Sequence, residues 1–178
     1  DGAQALILAR ISWRKRPGGL ADRDGAKGDA AMIDAVIADW HRFTHGELEG
    51  GLDRLLAEDC VFHSPVVHTP QVGREKTRTY LLAACRAFGG EVTDWRIGIG
   101  RLGPGFRYVR EIAAGNAAVL EFECEIDGVH VNGIDLITCN ADGRIVDFKV
   151  MVRPLQGINA IHARMGGILQ QMKAAGAV

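Results

Sequence analysis

The sequence predicts an α+β fold, with helices gathered on one face of a curved antiparallel sheet. Two observations carry this. Up to about residue 90 the apolar residues recur at helical spacing, interrupted by one short strand. Beyond it the period falls to two, with tight-turn signals between successive runs, and a proline then opens a last helical stripe.

Residues 31–46 place Ile33, Val36, Ile37, Trp40 and Phe43 on one helical face. "GGLDRLLAEDC", residues 50–60, predicts a short second helix with Leu52, Leu55 and Leu56 inward. "CVFHSPVV" alternates and ends at a proline turn, as a short strand does. A third helix is predicted over 73–88 and is stopped by Gly89 and Gly90. "EVTDWRIGI" and "FRYVREIAA" are strand-like. "AAVLEFECEI" alternates cleanly, and Asp127-Gly128 is a strong hairpin signal. "VHVNGIDLITCN", the turn "NADG" and "RIVDFKVMVR" complete the meander. Pro154 precedes the final helix, whose apolar side carries Leu155, Ile158, Ile161, Met165, Ile168, Leu169 and Met172.

The 178 residues suit one domain over 31–178, preceded by a charged, Gly-rich extension over 1–30. A formal net charge of −1 gives no electrostatic pointer to nucleic acid or to an anionic membrane. No apolar run approaches the roughly 20 residues of a membrane span. Cys60, Cys85, Cys124 and Cys139 form no CxxC pair and read as reduced, mostly buried thiols, which suits the cytoplasm.

Strand alternation sorts the faces. Leu120, Phe122, Cys124 and Ile126 share one side of their strand, and Glu121, Glu123 and Glu125 share the other. The glutamates read as a charged outer face meeting Lys149 and Arg153 across strands. Phe148, Val150 and Val152 share a face on the last strand. Asp135 is the anomaly. It sits among Val131, Ile134, Leu136, Ile137 and Cys139, where a carboxylate is costly unless paired, hydrogen-bonded or protonated. Periodicity alone does not orient it. A structural role, bonding to backbone or Trp40, is the alternative to a functional one.

The element order and the run I-D-x-x-x-x-N-x-D-G-R-I, residues 134–145, resemble the NTF2-like superfamily, the cone-shaped α+β barrel. "LLAEDCVFHSPV" and "NADGRIVDFKVMVRP" resemble its stretch after the second helix and its final hairpin. The superfamily includes ketosteroid isomerases, SnoaL-type polyketide cyclases and limonene epoxide hydrolases. The resemblance covers about residues 32–175. It implies three N-terminal helices and a C-terminal helix on the curved sheet, and a homodimer through the outer sheet face. In ketosteroid isomerases the strand matching "GIDLITCNADGR" carries an aspartic acid kept protonated to donate to the substrate oxyanion, a case that also serves as a general example of a raised carboxyl pKa. Asp135 matches it. The resemblance therefore implies an apolar pocket walled by Phe62, Leu120, Phe122, Cys124, Gly133, Ile137, Phe148, Val150 and Val152, with His68 at its rim.

The chain departs from that pattern. Where the isomerases have their aspartate base it has Ser64, and near their oxyanion-hole tyrosine it has Trp40. A serine is no carboxylate base, and an indole N–H only donates. The last-strand aspartate of the epoxide hydrolases is replaced by Val150. Asp135, Ser64 and Trp40 are thus the candidate polar groups of a cofactor-independent isomerase, cyclase or hydrolase acting on a small apolar molecule. A carrier of an apolar ligand and a protein-interaction module are the alternatives.

Other patterns are weaker. His63 is expected to point away from the cavity by alternation, and a Ser64–His–Asp135 triad is a minor alternative. His41 and His45 lie four apart on a helix, without a third metal ligand at a persuasive spacing, so no metal is expected. "GIGRLG", residues 98–103, fits GxGxxG but precedes a strand, and reads as a turn. Trp40 and Tyr80 could line the cavity, with Tyr80 the better fit to plain core packing.

Overall fold

The structure, a computed structural model, describes residues 23–174. Residues 1–22, most of the expected extension, lie outside the described residues. Helix α1 runs over Arg23–His45, so it begins eight residues before the expected start. Next come α2 (Gly51–Leu55), β1 (Leu56–His63), β2 (Gln71–Val72) and α3 (Arg74–Ala87). They are followed by β3 (Glu91–Asp94), β4 (Ile99–Arg101), β5 (Arg107–Ala114), β6 (Ala117–Ile126), β7 (Val129–Cys139), β8 (Ile145–Arg153) and α4 (Leu155–Ala174). Six strands form one curved, unclosed sheet in the order β2-β1-β8-β7-β6-β5, and β3-β4 is a separate two-stranded ribbon.

Three local outcomes differ from the expectation. The second helix ends at Leu55 because the Arg144 guanidinium donates to the carbonyls of Asp53 and Arg54, and Leu56 pairs with Ile145 as the strand begins. That pairing of β1 with β8 is parallel, so the sheet is mixed rather than wholly antiparallel. The stretch "EVTDWRIGI" is broken because Asp94 Oδ1 accepts the N–H of Arg96 at 2.7 Å and of Ile97 at 3.4 Å. The chain turns there, and Ile99–Arg101 of the glycine-rich motif returns as β4 instead of lying wholly in a turn.

The long meander follows the alternation. Asp127 and Gly128 both take positive φ, 52° and 78°, as a two-residue hairpin turn requires. Leu120, Phe122, Cys124 and Ile126 are buried toward the helices, as are Val131, Gly133, Asp135, Ile137 and Cys139. All four cysteines are free and buried. On the outer face the arginine partners of the glutamates come from β5, while Asn132 on β7 also donates to Glu121 at 3.1 Å. Arg107 meets Glu123 at 2.6 Å and Arg110 meets Glu121 at 3.4 Å, while Arg153 donates to Asn132. Lys149 and Arg153 are not their partners. Being edge residues beside β6, the two arginines stand directly opposite the glutamates, and β8 lies two strands away.

The core has two parts. The larger packs α1, α2 and α3 on the sheet around Leu120, Ile137, Ile145 and Phe148. The smaller gathers Phe122, Cys124, Ile126, Val131 and Ile161 under α4. A cavity lies where these two meet.

Candidate functional site

A cavity of about 200 Å³ opens between the sheet, α3 and α4. Helical spacing on α3 points Tyr80, Leu81, Ala84, Cys85 and Phe88 into it, and α4 contributes Ile161, His162, Met165, Gly166 and Leu169. Trp40 and Phe43 close it from α1, while Phe62, Phe122, Phe148 and Val150 floor it from the sheet. The loop Ser64–Val67 borders its mouth opposite α4, with Val67 exposed.

Among the described residues, Asp135 is the only carboxyl group lining the cavity. Tyr108, on β5, shares its face of the sheet. Adjacent strands are roughly 4.8 Å apart, so the phenol must cross β6 to reach β7. It does so diagonally: its hydroxyl lies 2.6 Å from Asp135 Oδ2 and donates to it. The Trp40 indole N–H in turn donates to the Tyr108 oxygen at 2.8 Å. Oδ1 of Asp135 makes no hydrogen bond among the described residues.

Burial pushes the Asp135 carboxyl up to about 7, and the bond from Tyr108 offsets part of that rise. Tyr108 is driven well above the usual phenol value, first by burial and then by the adjacent carboxyl, so it stays neutral. Near neutral pH Asp135 is therefore often a neutral acid. In that state its O–H can donate to Tyr108, which then accepts from both Trp40 and Asp135 and turns its own O–H to a ligand. A phenol oxygen has the capacity for this arrangement. The site can thus present a hydrogen-bond donor to an oxygen atom in an otherwise apolar chamber. Cys85, on the wall, has its thiol pushed up to about 12 by burial, and it is no nucleophile at neutral pH.

The sequence-derived residues divide. Asp135, Trp40, Ser64, Phe62, Phe122, Phe148 and Val150 line the cavity. Trp40 acts through Tyr108 and does not contact Asp135 by its N–H. Ser64 Oγ accepts the N–H groups of Val66 and Val67 at 3.1 and 3.3 Å, which fixes the loop at the mouth. Leu120 and Ile137 are fully buried in the larger core instead. Cys124 and Val152 pack in the smaller core. Gly133 lies under the Phe122 ring, where a Cβ would meet Phe122 Cζ at 2.4 Å. His68 is exposed and does not reach the cavity, because it lies beyond the turn that Ser64 builds.

The minor alternatives are not assembled. His63 turns outward, where Nε2 meets Asp147 Oδ2 at 2.8 Å, so no triad forms with Ser64 and Asp135. His41 pairs with Glu111 at 2.7 Å and His45 Nδ1 meets the His41 carbonyl, so they face no common metal. No cluster of His, Cys, Asp or Glu suited to a metal ion occurs among the described residues. Tyr80 lines the cavity, stacked on Phe62 at 5.4 Å, in place of the plain core role expected of it.

Tyr108 and the α4 residues were missed from sequence. The usable signal at Tyr108 was a lone hydroxylated aromatic between Arg107 and Arg110. The register shift between Tyr108 and Arg110 spoils the alternation that would have assigned its face.

Comparison with known proteins agrees with this architecture. Residues 34–148 match the SnoaL-like domain, and the chain belongs to that family within the NTF2-like fold. Its structure is similar to that of a steroid delta-isomerase from Pseudomonas aeruginosa, at 35% identity and a TM-score of 0.68, covering 81% of this chain and 96% of that one. An NTF2-like protein of unknown function from Mesorhizobium loti shares the fold at 20% identity and a TM-score of 0.54, covering 78% and 98%. No curated protein matches the chain. Among the described residues no helix is long and apolar enough to cross a membrane.

Proposed function

We propose that the protein is a cofactor-independent enzyme of the isomerase type, acting on a compact, mostly apolar molecule that carries one carbonyl or enol oxygen. The observation that carries this reading is the 2.6 Å bond between Tyr108 and Asp135, the latter the sole carboxyl lining an apolar cavity among the described residues. A perturbed acid in a cleft is a functional candidate on physical grounds. The donor would strengthen its bond as negative charge grows on the substrate oxygen, which is how such groups lower a barrier. Similarity to a steroid delta-isomerase supports the same chemistry. The cavity volume suits one or two rings, since a cavity of about 150 Å³ accepts benzene.

The test is binding and turnover in parallel. 2-Naphthol, whose phenol mimics an enol, should bind to the wild type and lose about tenfold or more in affinity in Asp135→Asn or Tyr108→Phe. Conversion of 3-cyclohexenone to its conjugated isomer, read by absorbance, should be accelerated by the wild type. Binding without turnover would favour a carrier, a second reading supported by Ser64, which stands where the related isomerases keep a carboxylate and spends its hydroxyl on the loop.

We further propose that the protein is a homodimer through the outer sheet face, where Ile112, Ile134, Leu136 and Met151 form an apolar patch bordered on the β5–β6 side by the Arg107–Glu123 and Arg110–Glu121 pairs. The four reduced cysteines fit a cytoplasmic setting.

A further inference from the structure

We infer that His162, on α4 at the cavity mouth, is the proton-transfer group that the site otherwise lacks. This rests on the isomerase reading above. The cavity-facing stripe of α4 is Ile161, His162, Met165, Gly166 and Leu169, and His162 is its one polar side chain. Four other histidines have partners. His41, His63 and His130 face Glu111, Asp147 and Glu123, and His45 bonds to a backbone carbonyl. His68 is exposed and does not line the cavity. His162 lines the cavity and makes no hydrogen bond or ion pair among the described residues. Its neighbour Arg164 is engaged with Asp127 and the Ala87 carbonyl, which pins this turn of α4 against the end of α3. The other ionisable groups of the cavity are Asp135, Tyr108, Tyr80 and Cys85. An imidazole is the side chain best suited to take and return a proton near neutral pH.

The step balances without a co-reactant. The His162 imidazole takes a proton from the carbon next to a carbonyl, and the C–H electron pair moves into the enolate. The enolate oxygen receives the hydrogen bond from the Tyr108–Asp135 pair. The imidazolium then returns the proton to the far carbon of the conjugated system, a new C–H bond forms and the carbonyl is restored. Donor and base line the same cavity, one from the sheet and the other from α4.

The test compares wild type, His162→Ala and His162→Gln with 3-cyclohexenone as substrate and 2-naphthol as binding probe. Because His162 is exposed, both variants should fold and bind 2-naphthol within about threefold of wild type. Turnover should fall by about 100-fold, the lower range for loss of a general base. Added imidazole should restore it in His162→Ala in a concentration-dependent way, which a merely structural role would not produce. Unchanged turnover in the variants, or loss without rescue, overturns the role of His162 and leaves the isomerase reading standing. Binding of 2-naphthol without turnover in the wild type overturns both catalytic statements and leaves a carrier. No binding and no turnover overturns the pocket reading as well.

Discussion

The Tyr108 hydroxyl reaches Asp135 from two strands away, passing over β6 to sit 2.6 Å from Oδ2. Nothing else on the described residues bonds that carboxyl. Its environment is therefore set by one phenol and by apolar walls, and several consequences can be measured.

Stability should fall as pH rises through the range set by Asp135. The unfolded chain releases this proton near the ordinary 3.8, whereas the folded protein holds it to about 7. Between those values the folded state binds more protons than the unfolded state, so raising the pH favours unfolding. The contribution is fully present below about 4 and fully lost above about 7. It is on the order of 4 kcal/mol at 1.36 kcal/mol per pH unit. Asp135→Asn, which is neutral throughout, should lack this slope. Urea unfolding of both proteins at pH 4.5, 6 and 8 reads it as a difference, and parallel curves would show that Asp135 ionises normally.

Tyr108→Phe should raise the Asp135 pKa further, because the bond from the phenol favours the ionised form. It also leaves the Trp40 N–H without its acceptor inside the core. A buried donor left unpaired costs about 1–3 kcal/mol. Carboxyl carbon NMR shifts of Asp135 against pH give the first effect, and urea unfolding at pH 5 gives the second. A carboxyl titrating lower in the variant would contradict the arrangement.

Much of this was legible in the residues. The period change near residue 90 and the Asp127-Gly128 turn locate the meander, and alternation on β6 gives its inner face without help from the structure. Asp135 stood out because a charge in an apolar run needs a reason. What stayed hidden depends on register and on tertiary reach. Leu120 and Asp135 are paired neighbours on one face, yet only Asp135 meets the cavity, because α1 covers the other. Tyr108 is obscured by the irregular register of β5, and the short strand β4 by the Asp94 turn that precedes it. His162 lies on a helix stripe that reads as apolar, and nothing local tells a cavity mouth from a core.

Gly133→Ala should disturb the cavity floor. The added Cβ would lie 2.4 Å from Phe122 Cζ and 2.7 Å from the Met151 carbonyl oxygen, so the ring must move. Overpacking of this kind costs about 1–3 kcal/mol. Phe122 is stacked on Phe106 at 5.0 Å and meets Phe88 edge-on at 5.9 Å, so its displacement propagates to two further cavity-lining rings. A lowered melting temperature together with a changed ranking of naphthol-sized ligands is the expected result. A variant as stable as wild type would mean the floor yields without strain.

Ala84→Leu should separate stability from binding. Ala84 lies on the cavity-facing side of α3, between Tyr80 and Phe88, and lines the chamber that a ligand would fill. Leucine is nearly as good a helix former as alanine, so the substitution costs α3 little. The added carbons enter empty apolar space rather than a packed core, and burying them contributes about 0.8 kcal/mol per methylene. The variant should therefore melt at or above the wild-type temperature while binding of 2-naphthol drops by about tenfold or more. The Tyr108–Asp135 bond is untouched, so the pH dependence of stability should persist. Calorimetry of unfolding and fluorescence titration with 2-naphthol on the same preparation check both halves. Retained binding at full strength would place the ligand outside this cavity, and a large loss of stability would mean that the space beside Ala84 is too tight to accept the side chain.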